Sequence, residues 1–395
     1  MITRTTIVAA GPQRLRTDTA SVLERRDGSL LAVYHSYSPG PDGSGDFGRA
    51  RVYSSVSRDN GRSWAEERLL ADIEEGDLNV MSPWLCRAGE EVLLGYVRNH
   101  SRSDTSMVLR RSRDDGECFG EEGTEYIWRH QGEYRLQGGA SSMVALRDGR
   151  LVFPFQSVPE VWVEGENEYV GSYRSDDNGR SWRESRNHIR LPLRGAMEPS
   201  VAELSTGRLV MSLRTQLGSP FISYSDDRGE SWSPAQTSGL KGPESCTCLR
   251  AVPDSPDHLV LFYNDAEYLP EHHHYGIRTP VSAALSTDGG GSWRKIGDID
   301  TGDMMFTNLG CTFLCSGARK GTAVFTYMAG PDPEVVGGRW RGPVPKQQAH
   351  ARTFDLRAAL IDRRWFEADG GGKGVVIAMA PDFDEPLEDF EEYTP

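Results

Sequence analysis

Aspartates that could hold a turn, bind a cation or act in catalysis recur in this chain at fixed offsets. The string Ser-x-Asp-x-Gly-x-x-Trp stands at Ser57–Trp64, Ser175–Trp182, Ser225–Trp232 and Ser286–Trp293, with a degraded fifth copy from Ser112 to Phe119. An Asp that accepts nearby backbone N–H groups closes a tight turn, and the Gly supplies a positive φ. The Trp gives an otherwise polar turn an apolar anchor over the hairpin. Five dispersed copies suit a repeated scaffold, because a single active site is not built five times. Other reactive types are poorly spaced for chemistry. Three adjacent histidines, His272 to His274, cannot all face one ion and read as a solvated loop. Cys246-Thr-Cys248 and Cys311-x3-Cys315 lack zinc spacing, and no Gly-x-Ser-x-Gly elbow marks a serine hydrolase. No metal or cofactor is expected.

The elements that position these turns follow from the same repeats. Successive serines lie 55, 63, 50 and 61 residues apart. Each copy follows an alternating apolar run such as Arg51–Val56 or Val281–Leu285, which reads as a strand. A second motif leads from a polar turn into an apolar strand at Arg26–Val33, Arg147–Pro154 and Ser205–Met211. Units of this size, each a small antiparallel sheet with those strands innermost, predict an all-β fold, a six-bladed β-propeller. Five marked units and an unmarked one over residues 301–366 make the six. The N-terminal strand is expected to pair with the last unit and close the ring. The reading is one domain over residues 1–395. It carries a Pro/Gly-rich loop at 331–350, an acidic insertion with Glu160, Glu164, Glu166 and Glu168, and an acidic, solvated tail at 382–395.

Composition narrows the partners. With 44 Lys+Arg against 58 Asp+Glu, the formal net charge is −14, which disfavours nucleic acid and anionic membranes. No apolar run approaches the ~18 residues of a membrane helix. The opening stretch, Met1-Ile-Thr-Arg-Thr-Thr-Ile-Val-Ala-Ala, is too weakly apolar for a secretory signal. Six cysteines in 395 residues do not suggest a disulfide framework, and a reduced, cytoplasmic setting is the expectation unless a signal was trimmed.

With its Asp-containing turns, the sequence resembles the sialidase (neuraminidase) superfamily of Asp-box, or BNR-repeat, propellers over roughly residues 14–330. The resemblance implies a carbohydrate ligand held in a central depression. Glu198, in Met197-Glu-Pro-Ser, is followed sixteen residues later by Arg214, a spacing similar to the family's Glu and substrate-binding Arg. Arg278, eight residues before Ser286, is similar to another member of the family's arginine triad. A planar, permanently charged guanidinium suits a sugar carboxylate. Two family elements are missing. Asp18 stands where the first arginine is expected, with Arg16 two residues away, and Phe306 stands near the place of the catalytic tyrosine. Tyr263, Tyr268 and Tyr275 are the nearest tyrosines by chain position. Asp46, on a segment with Gly40, Gly43, Gly45 and Gly48, falls near the family's general-acid position on a loop free to close. The resemblance therefore implies cleavage by carboxylates, Asp46 with Asp18 or Glu198, in place of a tyrosine nucleophile. Residues 77–84 and 98–104, with Arg98 and Asp104, are expected to line the same funnel. The alternative is a non-catalytic sugar-binding propeller.

Overall fold

The computed structural model describes residues 2–121, 125–137, 143–344 and 352–367. Six antiparallel sheets follow one another around a central axis, as the repeats predict. Blade 1 holds Arg16–Glu24, Leu30–Tyr37, Ala50–Ser57 and Ala65–Ala71. Blade 2 holds Asn79–Ala88, Glu91–Ser101, Asp104–Ser112 and Glu125–Gln131. The innermost strand of blade 3 comes in two pieces, Tyr134–Gln137 and Val144–Ala145, before Leu151–Val158 and Tyr169–Ser175. Blade 4 runs from Met197–Glu203 through Leu209–Arg214 and Phe221–Ser225 to Gln236–Thr237. Blade 5 holds Cys248–Val252, Ser255–Asn264, Val281–Ser286 and Arg294–Asp300. In blade 6, Met304–Phe313, Ala323–Pro331 and Asp355–Ile361 come from the end of the chain, and Ile2–Val8 supplies the outer strand. That last pairing, with Ile2 opposite Ile361, closes the ring as expected.

The Asp-containing turns join the third and fourth strands of blades 1 to 5. In blade 1, Asp59 Oδ1 accepts from Ser57 Oγ at 2.8 Å and from Ser63 N at 2.9 Å, while Ser57 Oγ accepts from Gly61 N at 2.8 Å. The same pattern holds at Asp177, Asp227 and Asp288. None of these four aspartates lines the central funnel. The aromatic that ends each turn does more than cover its own hairpin. Trp64 packs with Leu360 of blade 6, Trp182 with Phe153 and the blade 2 core, and Trp232 with Val152 and Val170 of blade 3. Each turn therefore ties its blade to the preceding one.

The apolar core lies between blades. Phe262 of blade 5 stacks on Phe325 of blade 6 at 4.5 Å between centroids, and Trp84 of blade 2 meets Phe153 of blade 3 at 5.2 Å. The segment expected as a loop at 331–350 contains a short hairpin, Val335–Val336 with Arg339–Trp340, in its described part. Its Asp332 and Glu334 are buried. The acidic tail at 382–395 lies outside the described residues.

Candidate functional site

A cavity of about 240 Å³ opens on the propeller axis, and every blade contributes to it. Arg16, Asp18 and Thr19 come from blade 1, Met81 and Ser82 from blade 2, and Tyr134, Leu136 and Gln137 from blade 3. Met197 and Glu198 come from blade 4, Cys246 from just ahead of blade 5, and Met305, Thr307 and Asn308 from blade 6.

A repeated device aims these side chains. The innermost strands of blades 1, 2, 4 and 6 each break register over a short interval, between Asp18 and Ser21, Met81 and Trp84, Met197 and Ser200, and Thr307 and Gly310. Within each interval one non-glycine residue takes a positive φ: Thr19 at 49°, Ser82 at 53°, Glu198 at 41° and Asn308 at 55°. Such conformations cost ~1–3 kcal/mol each and survive where the surroundings impose them. A bulge turns extra side chains toward the axis and leaves backbone N–H groups to be satisfied. The preceding blade satisfies three of them. Ser82 N donates to His35 Nδ1 at 3.3 Å, Glu198 N to Gln156 Oε1 at 2.6 Å, and Asn308 N to Cys246 Sγ at 2.9 Å.

One side of the funnel is built on Asp18. Its side chain is fully buried and accepts from Arg16, from Thr19 Oγ1 at 3.0 Å and from His35 Nε2 at 2.6 Å. Because His35 Nδ1 accepts from Ser82, the neutral ring carries its proton on Nε2, facing Asp18. Burial alone would raise the Asp18 pKa. The charge of Arg16 and the His35 contact overcome it and hold the group well below the usual carboxylate range. A carboxylate so fully occupied is a poor base for a water molecule. The expected catalytic role of Asp18 is therefore replaced by a positioning one: it holds Arg16.

Arg16 in turn reaches Asp46 at 2.8 Å and the carbonyl of Ser44 at 3.0 Å. Asp46 is 42% exposed. The Gly-rich segment that carries it is wound tightly, with Gly43 N donating to Gly40 O, Gly45 N to Asp42 O and Gly48 N to Gly45 O. Asn79 Nδ2 pins it through the carbonyls of Asp46 and Gly48 at 2.9 and 3.0 Å. A Cβ on Gly48 would sit 2.6 Å from the Gly43 carbonyl, so glycine there permits a close approach. The loop is closed and anchored, and its glycines serve packing.

The other side is a lattice of guanidiniums and carboxylates. Arg214 donates to Glu198 Oε1 and to Glu244 Oε1, both at 3.0 Å. Arg194 reaches Glu244 Oε1 at 2.9 Å and Glu168 Oε1 at 2.8 Å. Glu168, part of the acidic insertion, is buried and also accepts from Gln156 at 2.8 Å. Burial pushes its pKa up against the charges of Arg194 and Arg214. Burial also opposes the ionised form of Glu244, but Arg214, His274 and Arg194 together hold it well below the carboxylate range. Arg278 differs. Its Nη2 donates to the main-chain carbonyl of Glu244 at 2.9 Å, its Nε is buried with no partner, and it forms no ion pair with a carboxylate among the described residues. Burial and the nearby charge of Arg214 lower its pKa from the ordinary arginine value. Glu198 Oε2 is likewise buried without a partner.

Glu198, Arg214, Arg278, Arg16, Asp18 and Asp46 thus share one cavity. Arg194 and Tyr134 are additions. Arg194 sits four residues before Glu198, at the entrance to an innermost strand, which is the one signal that could have marked it. Tyr134 is the tyrosine in the funnel among the described residues. Burial, then the charges of Asp46 and Glu168, raise its pKa above the usual tyrosine value. Tyr263, Tyr268 and Tyr275 lie outside the cavity. Phe306 points into the core, and its neighbours Met305, Thr307 and Asn308 face the axis, so this strand offers no tyrosine to the funnel.

Arg98 and Asp104 do not join the site. They line a separate depression with Asp77 and His100, where Arg98 pairs with Asp77 and with Glu74 at 2.9 Å. Asn79 ties the Asp46 loop to the start of blade 2, and among the described residues of that blade only Met81 and Ser82 reach the axis.

The His272–His274 segment is not a solvated loop either. His272 is buried, and His274 lines the funnel beside Glu244. His272, His273 and Glu334 bring possible ligand atoms within 4.8 Å of one another. His272 Nδ1 accepts from His274 N at 3.0 Å, which leaves the proton of the neutral ring on the Nε2 that faces Glu334. Arg352 lies 3.5 Å from the same carboxylate. A proton on the Nε2 that faces Glu334 and the positive charge of Arg352 beside the same carboxylate both disfavour a cation there. All six cysteines are free.

Comparison with known proteins agrees with this architecture. The BNR repeat-like domain profile matches residues 28–335. No curated protein sequence matches the chain. Among solved structures, a Hadza microbial sialidase is 18% identical with a TM-score of 0.64, the match covering 89% of this chain and 66% of that one. A Trypanosoma rangeli sialidase in complex with the inhibitor DANA is 12% identical with a TM-score of 0.66, covering 91% and 59%. A protein of unknown function from Dyadobacter fermentans is 14% identical with a TM-score of 0.63, covering 91% and 99%. The chain thus spans about three fifths to two thirds of the length of these sialidases. At such identities the likeness establishes the fold, and the profile establishes the family: this chain is a member of the BNR repeat-like family, built as a sialidase-like six-bladed propeller.

Proposed function

We propose that this chain is an exo-acting glycoside hydrolase that takes one terminal anionic sugar into the central funnel. The observation that carries the reading is Arg278: a buried guanidinium facing the cavity without a carboxylate partner, beside Arg214 and Arg194. A ligand carboxylate supplies the missing charge in the planar, two-pronged geometry a guanidinium favours. The cavity, at about 240 Å³, lies below the ~300 Å³ lower end of drug-sized pockets. It suits one pyranose ring and excludes the interior of a polysaccharide.

Asp46 and Glu198 carry the chemistry in this reading. Asp46, exposed at the cavity wall, donates a proton to the glycosidic oxygen. Glu198, with Oε1 held by Arg214, directs its unpartnered Oε2 at the water that attacks the anomeric carbon. In the free protein Arg16 pairs with Asp46 at 2.8 Å, so an anionic sugar must draw Arg16 toward itself to free the Asp46 carboxyl for the glycosidic oxygen. The test is hydrolysis of aryl glycosides of N-acetylneuraminic acid and of uronic acids, with Asp46→Asn and Glu198→Gln as controls. Turnover that both substitutions abolish supports the reading.

A second reading rests on Phe306 and the lack of a tyrosine on that strand: a propeller that binds an anionic sugar without cutting it. Calorimetric binding of N-acetylneuraminic acid with no release from any aryl glycoside would favour it.

A further inference from the structure

The acidic character of the chain is interrupted at one end of blade 6. A groove of about 460 Å³ runs between the turn after Met304–Phe313 and the turn after Asp355–Ile361, and Arg319, Lys320, Arg363 and Arg364 line it. Four cations in one groove stand out on a chain with a formal net charge of −14. Asp362 is the carboxylate among the lining residues, and Arg364 occupies it at 2.9 and 3.1 Å. Lys320 reaches Asp254 at 3.3 Å. The guanidiniums of Arg319 and Arg363 have no hydrogen-bond or ion-pair partner among the described residues. Their placement is built into the fold. Where blades 1 to 5 carry an Asp-containing turn, blade 6 carries a short 3₁₀ turn, Arg363–Phe366, that buries Trp365 and Phe366 and leaves its two arginines exposed. Gly321, at φ 83°, lets the Arg363 stem lie on the backbone, since a Cβ there would sit 3.2 Å from Arg363 Cβ.

The chain itself carries a matching anion. After Glu367, three residues beyond Arg364, fourteen residues lead to the segment 382–395, in which seven of fourteen residues are acidic and none is basic. A stretch of fourteen residues spans up to about 50 Å, so the segment can reach a groove that borders its own point of departure. Exposed ion pairs are individually weak. Several in parallel on a tethered segment are stronger, because a short tether holds its end at a local concentration in the millimolar range. An anion from solution must compete with that. The groove lies at the strand ends away from the funnel: Ala323 pairs with Ile361 beside it, whereas Met305 and Phe354 face the funnel from the other ends. Thr3 and Leu360, opposite each other in the pairing that closes the ring, also line it.

We propose that the acidic segment 382–395 docks in this groove, an electrostatic clasp over the seam between the first and last strands of the ring. The proposal is independent of what the funnel binds. The chain has five lysines, and among the described residues Lys320 is the one that lines the groove. A carbodiimide joins an amine directly to a carboxylate, so peptide mapping of the treated wild-type chain reads which acid lies against Lys320. In the monomer, Lys320 should be linked to a carboxylate of 382–395. The yield should fall about fivefold or more between about 0.01 M and about 1 M salt, as the screening length shortens from about 30 Å to about 3 Å. At low salt it should fall as far in the Arg319→Glu, Arg363→Glu double variant. A Lys320 joined only to Asp254 refutes the docking, and so does a yield to 382–395 that neither salt nor the double substitution lowers. In a mixture of light and heavy-nitrogen-labelled protein, links that join a light chain to a heavy one would seat the segment of a second copy in the groove and overturn a clasp within one chain.

Discussion

Arg278 donates to the main-chain carbonyl of Glu244 at 2.9 Å, while the carboxylate of that same residue is taken by Arg214 and Arg194. Glu244 therefore neutralises two guanidiniums and leaves the third to the cavity. Hydrogen bonds to charged groups contribute about 1.5–3 kcal/mol. Arg278→Met should then weaken N-acetylneuraminic acid by roughly 10- to 100-fold, with little change for a neutral monosaccharide. Equal losses in calorimetry would remove the case for an anionic ligand.

Asp18 and Asp46 should separate cleanly on substitution. Removing one partner of a buried ion pair costs about 3–5 kcal/mol, so Asp18→Asn should lower the melting temperature markedly. Asp46 is exposed, and Asp46→Asn should abolish hydrolysis with the melting temperature nearly unchanged. A stable Asp18→Asn protein would contradict the positioning role assigned here.

The same carboxylate sets a pH dependence. Its folded pKa lies below the unfolded value of about 3.9, so the unfolded chain binds the proton more readily. The stabilisation from Asp18 is complete above pH ~4 and is lost as the pH falls through the folded pKa. Melting temperatures measured from pH 6 down to pH 2.5 should fall more steeply for wild type than for Asp18→Asn. Parallel curves would mean that Asp18 does not titrate as its partners require.

Gly48→Ala tests whether the closed loop matters. A methyl there meets the Gly43 carbonyl, so the turn that presents Asp46 must shift. Small misplacements of a catalytic group are costly, and kcat should fall about tenfold or more with modest change in KM. Unaltered kcat would show that Asp46 is not the acid.

The Asp-containing turns should behave in the opposite way. Asp59 accepts from Ser57, Arg62 and Ser63, and although burial opposes the charge, those bonds hold its pKa down to about 2. Asp59→Ala should lower the melting temperature, leaving KM and kcat as they are. A selective loss of activity would argue that these turns reach the site.

The propeller was legible in the sequence because its period is written in turn chemistry that tolerates little variation: an Asp, a Gly and an aromatic at set offsets. Glu198 and Arg214 were legible as well, since both flank one hairpin and their separation follows from strand length. Arg194 was not, because its role comes from packing against Glu168 and Glu244 across two blades, and no local spacing encodes that. Arg98 and Asp104 were misplaced for a related reason. Chain position puts them near the axis, but Arg98 turns instead to Asp77 and Glu74 in a separate depression that Asp104 shares. The occupied state of Asp18 also escaped the sequence, because His35 reaches it only once the two strands pair.

The recurring bulges have a consequence for how such a protein can change. Four walls of the funnel are presented by two or three residues of one innermost strand, and in three of them the preceding blade supports the backbone break that exposes those residues. Specificity is therefore inherited in separate short cassettes, centred on Thr19, Ser82, Glu198 and Asn308 and far apart in the chain. A lineage can rewrite one cassette and acquire a new ligand while five walls and the ring itself stay intact.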